Sequence, residues 1–149
     1  MDAHAVVRQL PLRLTTGAFV LNSGLTKREA DRPAAEQLHG FASTTYPFLG
    51  TMEPERFVKL LSTAEIALGS ALLLPVVPTV VAGAGLTAFS AGLFGLYLRT
   101  PGMRREGSLR PTDQGIALAK DSWLIGIGLS LVLDGLPVRR RKARRRRRC

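Results

Sequence analysis

The chain has 149 residues, enough for one domain, of which 46% are hydrophobic, and a formal net charge of +10. Nine of the last eleven residues are Arg or Lys, so the charge excludes a basic surface spread over the whole body and belongs to a tail. The sole cysteine, Cys149, ends that tail, which excludes an internal disulfide and a Cys-x-x-Cys redox pair.

The hydrophobic residues are gathered in three long runs, Phe57 to Leu74, Val76 to Leu98 and Gly115 to Leu133. A globular core does not need runs of that length, whereas a membrane helix needs roughly 20 such residues. A weaker run, Leu10 to Leu25, precedes them. It carries Arg13 and Asn22 and has no small-residue cleavage site, so it is read as a first span and not as a secretory signal. The expected fold class is all-α: a four-helix transmembrane bundle, with residues 1–9 as a cytoplasmic N-terminus, 10–136 as the membrane domain and 137–149 as a polybasic cytoplasmic tail.

In the first span, Arg13 lies near the start and is expected to snorkel to the headgroups as an interfacial anchor. Asn22, toward the other end, is placed to hydrogen-bond another helix. From Lys27, also read as interfacial, to Arg56 both charge signs are mixed, which places the segment outside the hydrocarbon. Within it Asp31-Arg32-Pro33 reads as a helix start with Asp31 as cap, and Ala34, Leu38 and Phe41 share a face. A short amphipathic helix on the membrane surface is expected, followed by Tyr46-Pro47-Phe48 as an aromatic anchor. His39 has no second His or Cys near it and reads as an ordinary polar residue.

The second span opens at Pro54 and stops before Pro75. Glu65 lies about nine residues from Arg56, roughly 14 Å deep at 1.5 Å per residue, too deep for a glutamate to snorkel comfortably. Gly69, one turn on, offers a place for another helix to approach. Pro75 to Pro78 makes a tight uncharged turn into the third span. That span repeats small residues at Ala84, Ala88 and Gly92, and again at Ala91 and Gly95, and is expected to be structural. A polar turn with Pro101-Gly102 leads to the fourth span, which has a small-residue face of Ser122, Gly126 and Ser130 and ends at Asp134, Gly135 and Pro137.

Antiparallel threading puts Asn22, Glu65, Lys120 and Asp121 in the same half of the membrane. Charged groups at membrane depth normally face the protein interior, so these four are expected to form a polar intramembrane pocket with Glu65 paired to Lys120. Their charges sum to minus one, which leaves one carboxylate for Arg13, a proton or a ligand. The competing reading is an ion pair that fixes helix register and does nothing more. No catalytic residue set, metal cluster or phosphate loop is evident. The tail residues Arg139, Arg140, Arg141, Lys142, Arg144 and Arg145 suit orientation and attraction to anionic membrane lipids. They come without the aromatics or fold that nucleic acid would require. Even so, the balance of basic residues between the two sides puts both termini in the cytoplasm.

Arg13-Leu14 with Gly17, Phe19, Gly24 and Lys27, then Glu65 with Gly69 and Leu72-Leu73, Pro101-Gly102, and Lys120-Asp121 with Gly126 and Gly128 together form a pattern. It resembles the DoxX family of small bacterial integral membrane proteins over Leu10 to Asp134. The resemblance implies a four-helix bundle in the bacterial plasma membrane. Relatives include a subunit of a thiosulfate:quinone oxidoreductase and mycobacterial proteins associated with a superoxide dismutase and a sulfurtransferase. It therefore implies a non-catalytic component or anchor of a redox or oxidative-stress system, with a quinone bound rather than covalent and soluble redox enzymes as partners. The polybasic tail and the lack of intramembrane cysteines depart from the family pattern. The alternative expectation is a small carrier or channel-like protein for a lipid or hydrophobic solute.

Overall fold

The structure, a computed structural model, describes residues 3–136. The tail residues from Arg139 to Arg145 lie outside the described residues. All regular structure among the described residues is helical, apart from one isolated β-bridge between Arg104 and Pro111.

Helix α1, Ala3–Arg28, starts well before the expected Leu10 and runs straight through Pro11. Helix α2, Arg32–Thr45, begins where Asp31 accepts a hydrogen bond from the Ala34 N–H at 3.0 Å, with Pro33 in the first turn. A 3-10 turn, Pro47–Thr51, leads into helix α3, Pro54–Leu73. After the proline turn, helix α4 covers Thr79–Arg99. The 100–115 connection bends at Gly102 and Gly107, whose φ values of 82° and 67° only glycine adopts cheaply. Helices α5, Ile116–Ala119, and α6, Asp121–Gly135, meet at Lys120, whose backbone stays helical while the Trp123 N–H bonds its carbonyl at 3.0 Å. The expected fourth span is thus one path with a tightened turn at Lys120.

The helices associate as two pairs. Helix α1 packs along α3 and α4 along α6, while contact between the pairs is slight. Glycine sets both pairings. In the first pair, a Cβ on Gly69 would come within 2.5 Å of the Leu21 backbone, and one on Gly24 within 2.9 Å of the Ile66 nitrogen. The α1 and α3 backbones therefore touch at the glycine foreseen for that purpose. In the second pair, a Cβ on Gly83 would meet the Gly128 carbonyl at 2.8 Å. This corrects the expected stripes. Ala84, Ala88, Ala91 and Gly92 are exposed, as are Ser122, Gly126 and Ser130, because the faces that meet lie one residue round on α4 and two on α6.

The core takes Val20 from α1, Leu72 from α3, Ala82 and Leu86 from α4, and Leu131 from α6. It lies toward the α3–α4 turn and ties the two pairs together at that end. Two helices, Thr79–Arg99 and Ile116–Gly135, are long and apolar enough to cross a membrane. Only 28% and 11% of their most apolar windows are buried within the protein. Large apolar side chains stand exposed along the bundle, among them Leu14, Phe19, Val81, Trp123 and Leu133.

Candidate functional site

Away from the core the two pairs part and leave a cavity of about 650 Å³. Phe19 and Val20 of α1, Leu61 of α3, Phe89, Leu93 and Leu96 of α4, and Leu118 and Leu124 of α5 and α6 form apolar walls. Helix α2 and the turn after it roof the cavity with Leu38, Phe41, Ala42, Tyr46 and Leu49. The roof is fastened to the bundle at two points and braced within itself at a third. Tyr46 donates to the Gly92 carbonyl at 2.8 Å and the Thr45 and Thr100 hydroxyls meet at 2.9 Å, while His39 Nε2 bonds the Leu49 carbonyl at 2.8 Å between α2 and the turn that follows it. Tyr46 therefore turns inward and is no interfacial anchor, whereas Phe48 beside it is 71% exposed.

The polar part of the lining is small: Ser23, Lys27, Glu65 and Asp121. Lys27 Nζ lies 3.0 Å from Glu65 Oε2 and donates to Ser23 Oγ at 2.6 Å. The Glu65 side chain is only 4% exposed, that of Lys27 22%. Asp121 lies within electrostatic reach of both, and its carboxylate has no hydrogen bond or ion pair among the described residues.

This arrangement corrects the expected constellation in three places. First, Glu65 pairs with Lys27 and not with Lys120. The register that sets Gly24 against Glu65 and Ile66 puts Lys27 one helical step further along the same face of α1, from where its long side chain reaches inward. Lys120 is exposed, since neighbours on a helix cannot face the same way and Asp121 takes the cavity side. Second, Asn22 is exposed on α1. It lies off the stripe of Gln9, Arg13, Thr16, Gly17, Val20 and Gly24 that α1 buries.

Third, Arg13 is no headgroup anchor: it is only 7% exposed. Helix α3 ends before Pro75, and neither Pro75 nor Pro78 has an N–H to offer its last carbonyls. Arg13 supplies the donors instead, to Leu72 and Leu74 at 2.8 Å, to Ala71 at 2.9 Å and to Val77 and Thr79 Oγ1 at 3.3 Å. A guanidinium carries five donors in a planar fork, and its charge opposes the negative end of the α3 dipole. A second link, missed in the sequence, is the two-pronged pair of Arg8 with Asp134 at 2.9 and 3.2 Å, which joins the start of α1 to the end of α6. Sequence separation hides it.

Among the described residues no cluster of three or more His, Cys, Asp or Glu is placed to hold a metal ion. Chemically, the site offers an apolar chamber with one satisfied ion pair and one free carboxylate. It has the size and character of pockets that hold small apolar ligands and orient them by a few polar groups. Compared with family models, curated proteins and solved structures, the chain finds no match.

Proposed function

We propose that this protein is a DoxX-like four-span membrane protein whose inter-pair cavity holds a quinone or lipid, and that it acts as a non-catalytic component of a redox or oxidative-stress system. The observation that carries this reading is the cavity of about 650 Å³, apolar in its walls and roofed by α2, with Lys27, Glu65 and Asp121 at one side. Helices α1 and α3 are less apolar than α4 and α5–α6 because they turn Arg13, Lys27 and Glu65 inward, where each finds partners, while Leu10, Leu14 and Leu60 face outward. A helix that satisfies its charged groups within the bundle can cross hydrocarbon. The low burial of α6 also separates it from the core helix of a water-soluble protein, which would be mostly covered. In this reading α2 lies on the membrane surface and both termini are cytoplasmic. A superoxide dismutase or sulfurtransferase is then the class of soluble partner proposed, on the strength of the family resemblance.

Mass spectrometry of small molecules that co-purify in mild detergent tests the reading. A quinone or lipid retained by the wild type and lost from Ala88→Trp, which fills the cavity from α4, where Ala88 is exposed to it, is the expected result. Equal retention by both proteins, or none by either, would refute it. The slight contact between the helix pairs favours a second reading, a carrier whose pairs part to release a lipid. Flux of labelled lipid across sealed vesicles containing this protein alone would select it.

A further inference from the structure

Resting on the reading of the cavity as a ligand site, we propose that it selects an amphiphile by a positively charged head: a long apolar chain ending in an ammonium group that sits against Asp121. The charges facing the cavity are one lysine against two carboxylates, a net of minus one. Lys27 already donates to both Ser23 and Glu65. Asp121 accepts from nothing among the described residues, and Glu65 uses only Oε2. The cavity therefore offers more spare acceptors than donors: three carboxylate oxygens against the remaining N–H of Lys27 and the Ser23 hydroxyl.

An anionic head could take only the third N–H of Lys27, whose charge Glu65 already balances, and there it would face the Glu65 and Asp121 carboxylates with no cation of its own. A neutral acceptor such as a quinone carbonyl would leave Asp121 unpaired, so of the two ligands proposed above the charges favour the lipid. An ammonium head makes the opposite exchange: it partners the free carboxylate without disturbing the pair, and leaves the cavity neutral. Because a charge in an apolar surrounding is unfavourable until compensated, the head group and not the chain carries the selectivity. The walls of Phe19, Phe89, Leu93 and Leu96 accept any chain of suitable length.

The test uses the full chain in nanodiscs of neutral phosphatidylcholine, with radiolabelled hexadecylammonium, hexadecanol and hexadecanoate as probes and empty nanodiscs as the partition background. Hexadecylammonium is expected to bind at least tenfold more tightly than hexadecanoate, with hexadecanol between them. Asp121→Asn is expected to reduce that preference about tenfold, and Asp121→Glu, which keeps the charge, to preserve it. Equal binding of all three heads, abolished by Ala88→Trp, would overturn the head-group selectivity while leaving the cavity in place. Preference that survives Asp121→Asn would overturn the role of Asp121. No binding of any chain above the empty nanodisc would overturn the cavity reading itself, and this inference with it.

Discussion

Replacing Lys27 by Met and Glu65 by Gln should not cost the same, and the difference can be worked from their surroundings. Lys27→Met leaves a carboxylate whose side chain is 4% exposed without its cation, the situation that typically costs roughly 3 to 5 kcal/mol. Glu65→Gln leaves an ammonium that is 22% exposed, sits near the end of α1 and keeps its bond to Ser23. That loss should be only about 1.5 to 3 kcal/mol, the scale of one hydrogen bond to a charged group. The double variant Lys27→Met with Glu65→Gln removes both charges and should recover most of the Lys27→Met loss. A cycle measured by equilibrium unfolding in mixed micelles should then show an interaction of at least about 2 kcal/mol. Lys120→Met, at an exposed position, should change stability by no more than about 0.5 kcal/mol. Additive single losses, or a Lys120→Met cost equal to that of Lys27→Met, would refute the pairing.

Three other outcomes follow from the packing and the fold. Arg13→Met should destabilise the protein by on the order of 3 kcal/mol, because several buried carbonyls at the end of α3 lose their donor at once, and Arg13→Lys should recover only part, since an ammonium cannot span them; the same unfolding assay checks both. Gly69→Ala should cost about 1 to 3 kcal/mol by forcing α1 away from α3, whereas Gly126→Ala, with nothing within 4 Å, should stabilise the helix by about 0.5 to 1 kcal/mol. Topology reporters fused at Ala3 and after Leu136 should both read cytoplasm, and opposite sides would mean that α1 does not span.

The helices of this protein are legible in its sequence because their punctuation is strong. Asp31 and Pro33 start α2, Pro54 starts α3, and Pro75 and Pro78 enclose the turn into α4, so element order and most boundaries follow from local chemistry. Gly69 also announces its role, since a glycine one turn from a buried glutamate has few uses beyond close approach. The partners of the charged residues are less legible. Counting depth from the helix ends puts Glu65 and Lys120 level, but depth says nothing of direction. The adjacency of Lys120 and Asp121 alone implies that only one of them can face inward. The periodicity of Gln9, Arg13, Thr16, Val20 and Gly24 likewise implies that Asn22 faces away. Lys27 reads as interfacial, and its pairing with Glu65 stays hidden, for a different reason. It stands among charged residues that mark a loop, yet its side chain is long enough to reach back a full turn into the bundle. Arg13 reads as a headgroup anchor because its acceptors are carbonyls at the end of another helix, and backbone acceptors leave no residue-type signal.

Photolabelling tests the central claim, an apolar ligand seated between the two helix pairs, most directly. The wild-type protein in nanodiscs is equilibrated with a long-chain alkylammonium carrying a diazirine on its tail, irradiated, digested and mapped by peptide mass spectrometry. Label concentrated on Phe89, Leu93 and Leu96 of α4 and on Leu61 of α3, and lost in Ala88→Trp, is the outcome expected of a chain inside the cavity. Label confined to the outward-facing Val81, Trp123 and Leu133, at equal levels in both proteins, would mean that the chain stays in the surrounding bilayer and that the cavity holds no such ligand.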